Sequence, residues 1–97
     1  MNSSVHILGA GGIGIAAGVC LVRAGWTVTM VDSNPHKVGL GQSDGMSVDG
    51  AITTRANFVQ FQDWRQPADA TILLCVKTFD NAGVFTRITN FEPVIPI

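Results

Sequence analysis

Charged residues are scarce in this chain, and those of one sign do not gather into a patch. Lys, Arg, Asp and Glu make up 13% of the 97 residues, and the formal net charge is −1. The basic residues stand apart along the chain, at Arg23, Lys37, Arg55, Arg65, Lys77 and Arg87. Binding to nucleic acid or to an anionic membrane surface needs a basic footprint, so the sequence argues against both partners.

Cysteine is also rare, and no Cys-x-x-Cys or Cys/His spacing suggests a metal site. Cys20 and Cys75 both lie in apolar stretches, where free thiols behave as small hydrophobic side chains. We expect both thiols to be buried and free in a reducing compartment, although a disulfide between them stays open. His6 in an apolar run and His36 in a loop are expected to be structural or solvated rather than catalytic.

Lys, Arg, Asp and Glu are missing altogether from residues 5–22, which are largely apolar. Such a stretch could suggest a membrane helix or a signal peptide, but the five glycines within it weaken any single helix. No Lys or Arg precedes the stretch, so the basic start of a secretory signal is missing too. We therefore expect a cytoplasmic protein without membrane contact.

Apolar residues dominate the composition instead, at 46%. With so few charges, this indicates a globular domain with an extensive core and not a disordered segment. A chain of 97 residues forms one small domain. Such a domain buries roughly 60–65% of its unfolded surface and has a thin margin of stability.

A glycine-rich turn after the first apolar run is the most informative motif. Glycines at positions 9, 11 and 14 have the Gly-x-Gly-x-x-Gly spacing of dinucleotide-binding folds. The first permits a sharp turn, the second lets a pyrophosphate approach the backbone, and the third lets the next helix pack closely. The first N–H groups of that helix then face the phosphates. The residues predicted to bind the cofactor here are Gly9, Ala10, Gly11, Gly12, Ile13 and Gly14.

The sequence after the turn supports this prediction. Small and apolar residues recur along one face of a predicted helix that Gly25 ends, at Ile13, Ala16, Ala17, Cys20, Leu21 and Ala24. Residues 27–31 form a β-branched run that predicts a second strand, and Asp32 follows it, eighteen residues after Gly14. The plainer alternative is that the glycines serve only a tight turn and that Asp32 is a surface cap.

The middle of the chain predicts turns and short strands. Residues 33–36 read as a turn, and residues 37–50 as loops and short extended pieces rather than a second full helix. Residues 51–54 and 57–61 are predicted short strands. Residues 63–67 form a polar segment in which Pro67 prevents a helix.

The last third of the chain predicts a buried parallel strand. Residues 71–76 form a continuous apolar run, which is typical of a strand covered on both faces. A helix over 81–88 and an extended end over 92–97 follow. The fold class predicted is α/β, a Rossmann-type parallel sheet with flanking helices, of which this chain is the N-terminal portion.

Lys77 follows the buried strand, within Val76-Lys-Thr-Phe-Asp80, at the edge where open α/β sheets bind ligands. A lysine there meets a phosphate, a ribose hydroxyl or a substrate oxygen, unless it is simply solvated. Together with residues 7–14 and 44–50, residues 68–80 resemble the ketopantoate reductase (2-dehydropantoate 2-reductase) family. The resemblance covers essentially the whole chain and implies that Lys77 lines the cleft near cofactor and substrate.

The resemblance implies that residues 1–97 are the nicotinamide-dinucleotide-binding domain of an oxidoreductase that reduces a 2-oxo acid such as 2-dehydropantoate. The catalytic lysine and acid of the family would lie beyond Ile97, in a C-terminal domain, so the chain alone is expected to bind cofactor without efficient catalysis. The alternative is a regulatory nucleotide-sensing module of the kind that controls potassium transport, which shares the glycine turn and the acid. Another dehydrogenase of the superfamily also stays open.

The chain departs from the family where the second strand ends. Members that use NADPH typically carry an arginine there, and this chain has Asp32. An acid accepts hydrogen bonds from a ribose 2′-hydroxyl and repels a 2′-phosphate, so NAD is expected over NADP. Lys37 and Arg55 leave NADP open as a cofactor. We also expect self-association through an exposed sheet edge.

Overall fold

The computed structural model describes residues 3–48, 53–75, 87–90 and 92–96. The elements within these ranges are β1 (Ser4–Leu8), α1 (Gly12–Arg23), β2 (Thr27–Asp32), α2 (Pro35–Asp44), β3 (Asn57–Gln60), a 3₁₀ turn (Phe61–Asp63), β4 (Thr71–Leu74) and β5 (Val94–Pro96). The strands predicted on either side of the glycine turn's helix, and that helix itself, are confirmed. The predicted buried strand is confirmed over its first four residues.

The described strands form one parallel sheet in the order β3-β2-β1-β4-β5. β1 lies in the middle, where Leu8 pairs with Val31 of β2 on one side and with Leu74 of β4 on the other. The chain moves outward from β1 to β3 and then crosses to the opposite side for β4. Ligands bind outside the carboxyl ends of the strands where the direction reverses in this way. The predicted Rossmann-type sheet is therefore confirmed.

One face of the sheet is covered by α1 and α2, and its buried core consists of Val5, Ile7, Val19, Val28, Met30, Val38, Met46 and Phe58. The residues of α1 that are buried are Gly14, Gly18 and Val19. The predicted face through Ile13 and Cys20 is wrong, because Ile13 is 66% exposed and Cys20 is exposed as well. The helix packs on the sheet through Gly14 and Gly18, because residues without a side chain let the two backbones come close.

The opposite face has a second core of Leu8, Val31, Trp64, Ile72, Leu74 and Ile88. Trp64 is 2% exposed, although it lies in the segment predicted to be polar. Its indole Nε1 donates a hydrogen bond of 2.8 Å to Nδ1 of His6. Burial lowers the pKa of His6 and so favours the neutral ring that this bond requires. The ring of His6 thus has a structural partner, and its being structural or solvated rather than catalytic stays a prediction.

The second helix corrects the prediction of loops over residues 37–50, because α2 extends from Pro35 to Asp44. It begins with two common start signals. The side chain of Asn34 accepts hydrogen bonds of 2.9 and 3.4 Å from backbone N–H groups of the first turn, and a proline occupies the first helical position. The Asn-Pro pair, interpreted as a turn, is the N-terminus of this helix.

Packing on β3 explains why a helix with two internal glycines forms at all. Val38 and Gly41 are buried, and the absence of a side chain on Gly41 leaves the space that the Phe58 ring fills. Gln42 adds a hydrogen bond of 3.0 Å from its Nε2 to the carbonyl oxygen of Phe58. The low helix propensity of glycine is thus outweighed by contacts with a distant strand.

The remaining segments are irregular. Thr54, from the predicted strand 51–54, forms an isolated antiparallel bridge with Met46. Residues 87–90 are held by Gln66, whose Oε1 accepts from the N–H groups of Thr89 and Asn90 at 2.8 and 3.0 Å and whose Nε2 donates to the Asn90 carbonyl at 2.7 Å. Most of the predicted helix 81–88 lies outside the described residues.

The predicted extended end of the chain is confirmed over β5. Both cysteines are free thiols, but the prediction that both are buried is wrong, because Cys20 is exposed and Cys75 is partly buried. In the part of the chain that the structure describes, no helix combines the length and apolar character needed to cross a membrane. β3 and β5 are the outer strands of the described sheet, and self-association through such an edge stays a prediction.

Candidate functional site

The glycine turn lies at the carboxyl end of the central strand. Gly9 follows β1 with φ of 112°, a conformation that favours glycine, and its N–H donates to the Val31 carbonyl at 2.8 Å. A Cβ on Gly14 would collide with the carbonyl oxygen of Gly9. The fold itself therefore requires glycine at both positions: Gly9 for its backbone conformation and Gly14 for lack of space.

Gly11 and Gly12 have a different environment, because a Cβ at either position would meet no atom of the described chain within 4 Å. Both residues are exposed, and Gly11 has extended backbone angles (φ −81°, ψ −169°) that any residue adopts. Neither packing nor conformation explains glycine at position 11. A group that must approach the backbone from outside would explain it.

The start of α1 supplies hydrogen-bond donors to that space. Gly11 is the N-cap and offers no side-chain cap, and the first turn contains no acidic residue. The first helical hydrogen bond runs from Ile15 N–H to the Gly11 carbonyl at 2.9 Å. Within the described residues, the N–H groups of Gly12, Ile13 and Gly14 have no acceptor. These donors and the positive end of the helix dipole make an anion-binding surface.

Asp32 lies beside this turn, as the motif predicts, at the end of β2. Its Oδ2 accepts a hydrogen bond from the N–H of Ala10 at 2.8 Å, and its Oδ1 accepts one from the N–H of Asn34 at 2.8 Å. The carboxylate is partly buried and joins the glycine turn to the loop that begins α2. Sequence reasoning placed Asp32 near the cofactor ribose and missed both backbone partners.

A cavity of about 260 Å³ opens beside the turn, between α1 and α2. Among the residues that line it are Ala10, Ile15, Lys37, Leu40 and Phe58. It is mostly apolar, and Lys37 is the one cation among the described residues that line it. No sequence signal pointed to this cavity, because it depends on the undetected helix α2.

Lys77, the remaining predicted site residue, lies outside the described residues. The strand before Lys77, β4, lies next to the central strand: β4 pairs with β1, and the N–H of Cys75 donates to the Leu8 carbonyl at 2.8 Å. The carboxyl ends of β1 and β4 are therefore neighbours at the switch point. Burial raises the pKa of the Cys75 thiol, which favours its neutral form.

The parallel sheet, its switch point and the glycine turn leading into α1 define a Rossmann-type fold, the class that binds dinucleotides at this edge. A family model described as "Ketopantoate reductase PanE/ApbA" matches residues 5–93. The chain belongs to this ketopantoate reductase family. The match gives no support to the alternative of a nucleotide-sensing module.

The fold is also similar to a solved structure, "Crystal Structure of the Putative 2-Dehydropantoate 2-Reductase from Enterococcus faecalis". The TM-score is 0.79 and the sequence identity is 19%, so this likeness concerns the fold alone. The similarity covers 99% of this chain and 32% of that chain, so this chain spans about a third of its length. No curated protein matches the chain.

Proposed function

We propose that this chain is the cofactor-binding domain of a ketopantoate-reductase-like oxidoreductase and that it binds a nicotinamide dinucleotide. Two observations on the described residues carry the proposal: a Cβ on Gly11 or Gly12 would meet no atom of them within 4 Å, and the N–H groups of Gly12, Ile13 and Gly14 have no acceptor among them. When bound, the cofactor supplies the hydride that reduces a 2-oxo acid such as 2-dehydropantoate to the 2-hydroxy acid.

The residues of the turn fit a pyrophosphate. Gly12, Ile13 and Gly14 would donate their N–H groups to its oxygens, and the missing Cβ of Gly11 would let those oxygens reach the backbone. The N–H of Ala10 already has Asp32 as its acceptor and would contribute to the turn's shape rather than to the phosphate. Lys77 is proposed to line the same cleft, because it follows β4 two residues after the bond between Cys75 and Leu8.

Preference for NAD over NADP belongs to the same proposal. It rests on the negative charge of Asp32, which lies at the end of β2 where the adenosine ribose of a Rossmann-bound dinucleotide is held. The carboxylate would repel a 2′-phosphate, while Lys37 on the neighbouring cavity wall would attract one. NADH is therefore expected to bind more tightly than NADPH.

Titration of the chain with NADH and with NADPH, followed by calorimetry or by dihydronicotinamide fluorescence, tests the proposal. Gly11→Val should weaken NADH binding by about tenfold or more, because its side chain fills the space kept for the pyrophosphate. The melting temperature should fall only slightly, because valine is a poorer N-cap than glycine. The new side chain meets no atom of the described chain, and the backbone angles at position 11 suit valine.

Gly39→Val is the matched control, because Gly39 is an exposed glycine of α2 where a Cβ likewise meets no atom of the described chain within 4 Å. This variant should bind NADH as the unchanged chain does. A folded chain that binds neither dinucleotide would overturn the proposed function. Equal NADH affinity of Gly11→Val and the unchanged chain would overturn the placement of the pyrophosphate.

A further inference from the structure

Asp32 occupies the point where backbone pairing between the two central strands stops. The ladder of β1 and β2 ends at the pair Leu8 and Val31, and the N–H of Gly9 adds one more bond to the Val31 carbonyl. The next N–H along the turn belongs to Ala10, and the Asp32 carboxylate accepts it at 2.8 Å. The side chain thus continues the connection one residue beyond the ladder, into the glycine turn.

The second oxygen of the same carboxylate binds the N–H of Asn34 at 2.8 Å. Asn34 is the N-cap of α2, so one charged group connects the loops that precede both helices on this face of the sheet. Hydrogen bonds to an ionised acceptor are stronger than those between neutral groups. Because glycine-rich backbone has much conformational freedom to lose, a fixed partner at Ala10 restricts the turn before any ligand arrives.

We propose that Asp32 is a positioning residue that orders the glycine turn for the pyrophosphate, and that this role, rather than a bond to the ribose, accounts for most of its effect on cofactor affinity. The inference rests on the proposed function, because it concerns the same dinucleotide site. Removal of the carboxylate then weakens NADH binding on the order of tenfold. NADPH binding weakens by a smaller factor, because the repulsion of its 2′-phosphate is removed together with the order of the turn.

The deciding experiment compares two ligands that differ only at the atom a ribose-binding acid would recognise. NADH and its analogue lacking the 2′-hydroxyl on the adenosine ribose are titrated into the unchanged chain and into Asp32→Ala. If Asp32 acts by ordering the turn, both ligands lose affinity by the same factor. If it acts through the ribose, the loss is confined to NADH.

Two further variants separate this role from a general loss of stability. Asn34→Ala removes the cap of α2 but leaves the bond between Ala10 and Asp32, so it should lower the melting temperature and keep NADH affinity. Asp32→Asn keeps one carbonyl oxygen as an acceptor and should bind NADH with an affinity between those of the unchanged chain and Asp32→Ala. All titrations are made where circular dichroism shows the variants folded.

The outcomes distinguish the two proposals. Failure of the unchanged chain to bind NADH and NADPH would defeat the proposed function itself. Binding by the unchanged chain that Asp32→Ala leaves intact, or a loss seen with NADH and not with its 2′-deoxy analogue, would overturn the positioning role alone. An increase in NADPH affinity in Asp32→Ala would likewise refute it.

Discussion

Replacing Gly41 with alanine places a methyl group against the ring of Phe58, at the contact between α2 and β3. The new Cβ would collide with the ring carbons Cγ, Cδ2 and Cε2. Phe58 is 7% exposed and belongs to the core on that face, so a shift of the ring away from the new methyl group would lose core contacts. Overpacking of this kind costs about 1–3 kcal/mol, although alanine would otherwise favour a helix.

Gly39 provides the control within the same helix. It is exposed, and a Cβ there meets none of the described atoms within 4 Å. Gly39→Ala should stabilise the fold by roughly 0.5–1 kcal/mol through helix propensity and a less flexible unfolded chain. The two alanine variants, two positions apart, are thus expected to change the free energy of unfolding in opposite directions.

Urea and thermal denaturation followed by circular dichroism measure both variants. For a domain of this size each 1 kcal/mol shifts the melting temperature by roughly 4–8 °C, so the opposite shifts are easy to resolve. Combining Gly41→Ala with Phe58→Leu should recover part of the loss, since the smaller side chain vacates the space of the ring. Stabilisation by Gly41→Ala would refute the packing of α2 on β3.

Two further predictions concern the opposite face of the sheet. Burial holds the pKa of His6 below its ordinary value of 6.5, so the unfolded chain takes up the proton first as the pH falls. The free energy of unfolding should therefore decrease as the pH falls through about 6.5 and level off below the folded-state pKa. The variant His6→Gln keeps an acceptor for Trp64 but does not titrate, so it should flatten this dependence. Denaturation curves between about pH 5.5 and 7.5 measure both chains. An unchanged slope in that variant would assign the titration to another group. Gln66→Leu removes the bonds to Thr89 and Asn90 and should lower the free energy of unfolding by about 1–2 kcal/mol, whereas Gln66→Glu, which keeps the acceptor, should lose less. Equal stabilities of the two Gln66 variants in urea would contradict the role of the acceptor.

Local signals were sufficient for the first third of the chain. β1, the glycine turn, α1 and β2 follow one another in sequence, and each has a local signal. Apolar runs indicate the two strands, three spaced glycines indicate the turn, and Gly25 indicates the end of α1. The same is true of β4, whose continuous apolar run shows burial on both faces. These elements could be predicted because the physical reason for each lies within a few residues of it.

Elements that depend on distant partners were missed. Trp64 is surrounded by polar residues in sequence and is buried because it packs in the second core, against side chains such as Leu8 and Ile72. His6, 58 positions earlier, accepts the indole N–H that this burial removes from water. α2 has helix start signals at Asn34 and Pro35, but its glycines obscured them, and only the Phe58 ring shows why Gly41 is there. Neither partner can be inferred from neighbouring sequence.

The candidate site also combines features that neighbouring sequence determines with features that depend on distant contacts. By itself, the sequence determined that a glycine turn would open a helix and that an acid would end the next strand, because both demands are local. Only the tertiary structure decided that Asp32 binds Ala10 and Asn34, and that a Cβ on Gly11 would meet no atom of the described residues within 4 Å. A carboxylate has several possible partners, and the one it takes depends on which backbone N–H groups the assembled sheet leaves without an acceptor.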